Sequence, residues 1–159
     1  MLCRRGWDRL TYATVVEEMI AQLPEVRAFD SGSFDENSEL AYVIFGDHLR
    51  PTLETALKSG DLKLILRICA FLEEVAISGK NDGMLHDLLA IEIGEWLRDT
   101  PYEVEITPWL GAETMRICDY VPGLAAQRLR LKSEATEHRF GARLSKLWQK
   151  FVRKRSNAD

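Results

Sequence analysis

Three carboxylates, Glu92, Glu95 and Asp99, stand at i, i+3 and i+7 in the stretch HDLLAIEIGEWLRD, residues 86–99. That spacing lines them on one face of a helix. Carboxylates so ranged have three uses: pairing with internal cations, acid–base or metal chemistry, or a negative surface kept for a basic partner. Glu92 shares its sector with Leu85, Leu88 and Trp96, which predicts a buried, paired acid. Glu95 and Asp99 sit near the helix C-terminus, where the dipole disfavours negative charge by roughly 0.3–1 kcal/mol each. Internal pairing would draw on Arg67 or Arg116. A partner surface would use Glu95 and Asp99, with Glu92 beside them and Glu103 extending the row.

The catalytic option has little behind it. His48, His86 and His138 fall on three separate segments, and the chain holds no HExxH, GxSxG, Walker loop, GxGxxG after a strand, or CxxC. His86 and Glu92 are six residues apart, roughly 120° around a helix and poorer for chelation than i,i+4. No catalytic, metal-binding or cofactor-binding residue is therefore assigned.

The elements that must position the acids read as helices. TYATVVEEMIAQLPE is a first helix, with Thr11 as N-cap candidate and Pro24 just past its end. A polar, turn-rich loop covers 30–38. SELAYVIFGDHLRPTLETALKSGD is a long helix or two joined ones. Pro51 removes a backbone bond, which predicts a kink or break near Asp47–Arg50, and Gly60 ends the segment. Asp61 caps the next helix, closed by Gly79, with a polar stripe of Lys63, Arg67, Glu74 and Ser78.

Asp82 caps the acid-bearing helix, and the two make an αα-hairpin over 61–98. This second helix is apolar on nearly all sides. Asp87, Gly94 and Arg98 form its narrow polar strip, a pattern that predicts a central place. PYEVEIT alternates as a short strand would, but has no second strand to pair with. TPWLGAETMRICDYVPG is another helix, stopped by Pro122. The expected architecture is all-α: one domain over 1–159, a bundle of about five to seven helices, with Leu66, Phe71, Leu88, Leu89, Ile93 and Trp96 in the core.

The segment 137–155 has the cleanest amphipathic pattern in the chain. Phe140, Leu144, Leu147, Trp148 and Phe151 share one face, and Arg139, Arg143, Lys146, Lys150 and Lys154 share the opposite one. Three readings stay open: docking on the chain's own acidic body with Trp148 buried, lying on an anionic membrane, or touching nucleic acid. Residues 156–159 form a frayed tail.

A content of 46% hydrophobic and 29% charged residues over 159 positions is that of an ordinary globular protein. No stretch approaches the roughly 20 apolar residues of a membrane span, and the first residues lack a signal-peptide core. Cys3, Cys69 and Cys118 are an odd set without metal spacing, two of them in apolar runs, so a reduced cytoplasmic setting is expected. The net charge of −4 conceals an asymmetry. Residues 1–120 carry 11 basic against 22 acidic side chains (−11), and residues 121–159 carry 10 against 3 (+7). The acidic body repels phosphates, so nucleic acid is not expected as partner, nor is a membrane.

Residues 40–98 resemble a bacterial all-helical domain family of unknown function, found beside polymorphic-toxin loci and presumed to include immunity proteins. The resemblance is carried by Phe45-Gly46, by Phe71-Leu72-Glu73-Glu74, and by Leu88-Leu89 with Glu95-Trp96-Leu97. It implies an immunity protein that binds and neutralises a cognate toxin by protein contact, with no chemistry of its own. It brings no catalytic residues. The alternative is a non-enzymatic adaptor or regulator working through the basic segment 137–155, with a small enzyme third. Oligomeric state is not legible.

Overall fold

The computed structural model describes residues 10–29, 40–98 and 100–119. These residues are all-α. They form six helices when α2 and α3 are counted as the one rod they make. Helix α1 spans Val15–Gln22, and Thr14 rather than Thr11 precedes it as N-cap. The two threonines are joined, the Thr11 amide donating to Thr14 Oγ1 at 3.1 Å. A 3-10 stretch, Pro24–Phe29, follows.

Helix α2 (Ala41–Ile44) runs through a π-helical turn, Phe45–Leu49, into α3 (Arg50–Ser59). The expected break is thus a widened turn. In a regular helix the Pro51 ring would press on the carbonyl of Asp47 and leave it without a donor. Instead the Arg50 amide donates five residues back, to Phe45 O, and the rod continues past proline. It ends where Gly60 takes a left-handed conformation, φ 68°. There the Asp61 amide returns to Ala56 O and the Gly60 amide to Leu57 O, the double closure that suits glycine at this position.

Helix α4 (Leu62–Gly79) is the centre of the bundle, packing against α1, α3, α5 (Gly83–Leu89) and α7 (Ala112–Ile117). The acid-bearing helix, expected to be central, leaves one side in solvent. Asp61 caps α4 by accepting from the Leu64 amide at 3.1 Å. Asp82 caps α5 from the Met84 and Leu85 amides, and its second oxygen takes the Tyr12 amide at 3.0 Å. The predicted hairpin is present. Gly79 lets its two helices meet: a Cβ there would lie 3.1 Å from the His86 amide nitrogen.

One apolar core joins these elements, with Met19, Ile44, Phe45, Phe71, Leu72, Leu88, Leu89 and Ile93 excluded from water. Phe45 and Phe71 meet with ring centroids 6.2 Å apart. Of the expected core, Trp96 is only half-buried, and Leu66 is 44% exposed. Helix α4 turns the line Leu62, Leu66, Ala70 and Ile77 outward. Arg67 leans from one flank of that line to Glu25 and the Gln22 carbonyl. Glu73 leans from the other to α7.

The segment PYEVEIT is not a strand. Residues Pro101–Ile106 form helix α6, with Pro101 in its first turn where no amide is needed. A 3-10 turn, Thr107–Trp109, leads to α7. Glu73 holds the start of α7, accepting from the Glu113 and Thr114 amides at 3.1 and 2.9 Å and from Thr114 Oγ1 at 2.8 Å. This long-range cap requires Gly111, because a Cβ there would sit 2.1 Å from the Glu73 carboxyl. No helix of the described residues is long and apolar enough to cross a membrane. Asp99, the 30–38 loop, Trp148 and the segment 137–155 lie outside the described residues.

Candidate functional site

Beyond Leu89 the α5 rod continues as a second π-helical stretch, Ala90–Glu95. A wider turn takes an extra residue, so each later position falls about one residue behind the phase of an ideal helix. The outward line runs Met84, Asp87, Ile91, Glu95, Arg98, all exposed. Gly94, which regular periodicity puts outward beside Asp87, is buried. A Cβ on it would meet Cys118 Cα at 3.2 Å. The missing side chain of Gly94 lets α7 end against this rod, and Glu95 beside it is exposed.

The two π segments meet through Arg50. This residue is the first after one π turn and reaches into the other, its Nε donating to the Glu92 carbonyl at 2.7 Å. Its Nη2 pairs with Glu92 Oε2 at 2.5 Å, and its guanidinium lies 5.8 Å from the Trp96 ring centroid. The Glu92 side chain is 13% exposed and that of Arg50 27%. Gly46, inside the first π turn, permits the approach, since a Cβ there would stand 3.2 Å from Glu92 Oε2. π turns recur at functional sites because their irregular backbone re-aims side chains. Here both re-aim onto one ion pair.

Glu92 is paired, as its apolar neighbours predicted, but half-buried rather than buried, and its partner is neither Arg67 nor Arg116. Arg67 pairs with Glu25 at 2.5 Å, and Arg116 with Glu113 at 2.9 Å. The available hint of Arg50 was Pro51, which disturbs the helix phase beside it. Burial raises the Glu92 carboxyl above its ordinary range. Arg50 opposes this, and the negative charges of Asp47 and Glu95 add to it. Tyr42 is also raised, by burial first and then by Asp87, Tyr12 and Glu92. These shared influences make Asp47, Asp87, Glu92 and Glu95 one electrostatic neighbourhood.

The proposed row is only partly assembled. Glu95 and Asp87 are exposed, Glu92 is clasped, and Asp99 lies outside the described residues. Glu103, expected to extend the exposed face, is 1% exposed and belongs to the interior of α6. Its carbonyl accepts from Thr107 Oγ1, closing the α6 end. Asp47, on α2's π turn, is the exposed acid that sequence reasoning omitted. His86 Nδ1 contacts Asp87 Oδ1 at 3.1 Å, without Glu92. Among the described residues no three of His, Cys, Asp and Glu converge as metal ligands would.

These features define an all-α bundle with solvent-facing acids, Asp87 and Glu95, on one helical rod beside an arginine clasp on Glu92. The chain belongs to a family described as a domain of unknown function (DUF7674), whose model matches residues 16–124. That match contains the whole of 40–98 and extends beyond it on both sides. No curated protein and no solved structure matches the chain.

Proposed function

We propose that this chain is an immunity protein, which binds a cognate toxin of basic surface and neutralises it by covering the surface the toxin works with. The observation that carries the reading is the division of labour among the acids. Glu92 is neutralised internally by Arg50, whereas Asp47, Asp87 and Glu95 face solvent on the two rods joined by that clasp. A charged face on a rigid support needs little ordering when a partner arrives. Its field speeds encounter with an opposite charge, and pairs desolvated on contact fix the register. Occlusion is stoichiometric, so the chain contributes no bond-making chemistry.

The test is to read the neighbourhood of this chain's gene for a toxin domain and to co-express the two; a neighbourhood without one counts against the reading. Rescue of growth, with a complex recovered by size exclusion, supports the reading. The double variant Asp87→Lys, Glu95→Lys should keep its melting temperature, since both positions are exposed. It should associate more slowly, by about tenfold or more at low salt and by less at high salt. Absence of both rescue and complex overturns the proposal. Full protection by the folded variant overturns the assignment of this face.

A further inference from the structure

We propose that the exposed face of α5 is also a docking surface for this chain's own basic amphipathic segment, residues 137–155. Along the outward line Met84 is 54% and Ile91 41% exposed, and each precedes an acid, Asp87 or Glu95. Single exposed apolar side chains are ordinary. Two of them in register with two acids make a surface that fits an apolar face edged with cations. Residues 137–155 have that pattern. At about 100° per residue the basic stripe borders the apolar face on one side rather than standing diametrically across from it. Arg143, Lys150 and Lys154, four, three and seven residues from Leu147, lie within about 60° of it. Leu144, Trp148 and Phe151 share the apolar side.

The path of the chain and its charge name this segment over other occupants. Helix α7 ends against the α5 rod, with Cys118 in the place a Cβ on Gly94 would need. The last described residues, up to Asp119, therefore lie close to the rod that carries the acid line. The stretch 120–136 can reach up to roughly 55–60 Å extended, while the rod from Gly83 to Glu95 is only about 20 Å long. Residues 121–159 carry +7 against −11 for residues 1–120. Tethering gives such a segment an effective concentration of about millimolar. A basic partner reaching the face must displace it, so the segment sets a threshold for binding. The inference stands whether or not that partner is a toxin.

Zero-length carbodiimide cross-linking of the full chain at low salt, read by mass spectrometry, tests it. The expected product joins Asp87 or Glu95 to Lys146, Lys150 or Lys154 within one chain, as shown by mixing isotopically light and heavy protein. A second measurement is tryptic cleavage between residues 143 and 155. It should quicken about tenfold in a full-length Met84→Ser, Ile91→Ser variant that keeps its helical circular dichroism, because cleavage follows the undocked population. Cross-links joining light to heavy chains would put a second copy on the face and overturn the proposal. So would cross-links to carboxylates elsewhere, or their absence together with unchanged cleavage, which would leave the face open for an external partner.

Discussion

Replacing Arg50 with methionine tests whether the clasp holds the two π segments together. The substitution keeps much of the apolar stem and removes the guanidinium, leaving the Glu92 carboxylate 13% exposed with its counter-ion gone. Stripping one partner from a fully buried pair costs about 3–5 kcal/mol, and from a surface pair about 0.2–1. The exposures of 27% and 13% place this pair between those limits. The lost bond to the Glu92 carbonyl, 2.7 Å long, and the guanidinium–indole contact add to the loss. We expect a net cost of about 2 kcal/mol, or a Tm lower by about 4–8 °C in a chain of this size.

The pH dependence distinguishes an electrostatic clasp from simple packing. Glu92 has a folded-state pKa above its unfolded value, set by burial. An acid so raised holds its proton more tightly folded than unfolded, so stability falls as pH rises from the unfolded towards the folded value, and the whole penalty stands above that window. Removing Arg50 takes away the influence that opposes the rise and widens the window. Arg50→Met should therefore lose most at about pH 7 and recover part of the loss as the pH is lowered through the window in which the raised carboxyl takes up its proton. Urea unfolding at neutral pH and below that window measures this. The double variant Arg50→Met, Glu92→Gln should be more stable at neutral pH than Arg50→Met alone, because no unpaired charge is left. An equal loss at both pH values, or strict additivity of the two substitutions, refutes the clasp.

Two further outcomes follow from contacts outside the clasp. Glu73→Ala strips α7 of a cap made by three hydrogen bonds and should cost about 1–2 kcal/mol; Gly111→Ala should cost at least as much by displacing the same carboxylate, and its effect in urea unfolding should shrink in the Glu73→Ala background. Cys69 and Cys118 are buried, which pushes their thiols up to about 12, so thiol reagents at about pH 8 should modify them only as fast as the protein opens, and rapid native-state labelling of either would contradict the core.

Features written in local chemistry were legible in the chain. Asp61 and Asp82 announce helix starts and cap as expected, and Gly60 ends its helix in the conformation glycine favours. Phe71, Leu88, Leu89 and Ile93 are inside because their apolar period is helical. PYEVEIT misleads because an alternating run over seven residues fits a short helix begun by proline as well as a strand. Leu66 misleads because α4 carries more apolar residues than its neighbours can cover. Its two flanks are spent on Arg67 and Glu73, whose partners lie far away in sequence, and no local pattern encodes those partners.

The same limit governs the acid face. A wheel drawn at a constant 100° per residue puts Gly94 beside Asp87 and leaves Glu92 to seek a distant arginine. The rod instead widens into a π stretch at Ala90–Glu95, and Gly94 is buried there while Asp87 and Arg98 stay exposed. What fixes that choice is tertiary. Gly94 must face inward for α7 to end against it, and the Glu92 carbonyl must be available to Arg50. Arg50 in turn is in place because Pro51 favours a π turn just before it. The pairing of Glu92 thus draws on a turn set beside a proline 41 residues earlier in the chain. If the clasp fails, the outward line should lose its register while the helices persist. Loss of partner binding in Arg50→Met, with helical circular dichroism retained, is what this dependence requires; unaltered binding would separate the face from the clasp.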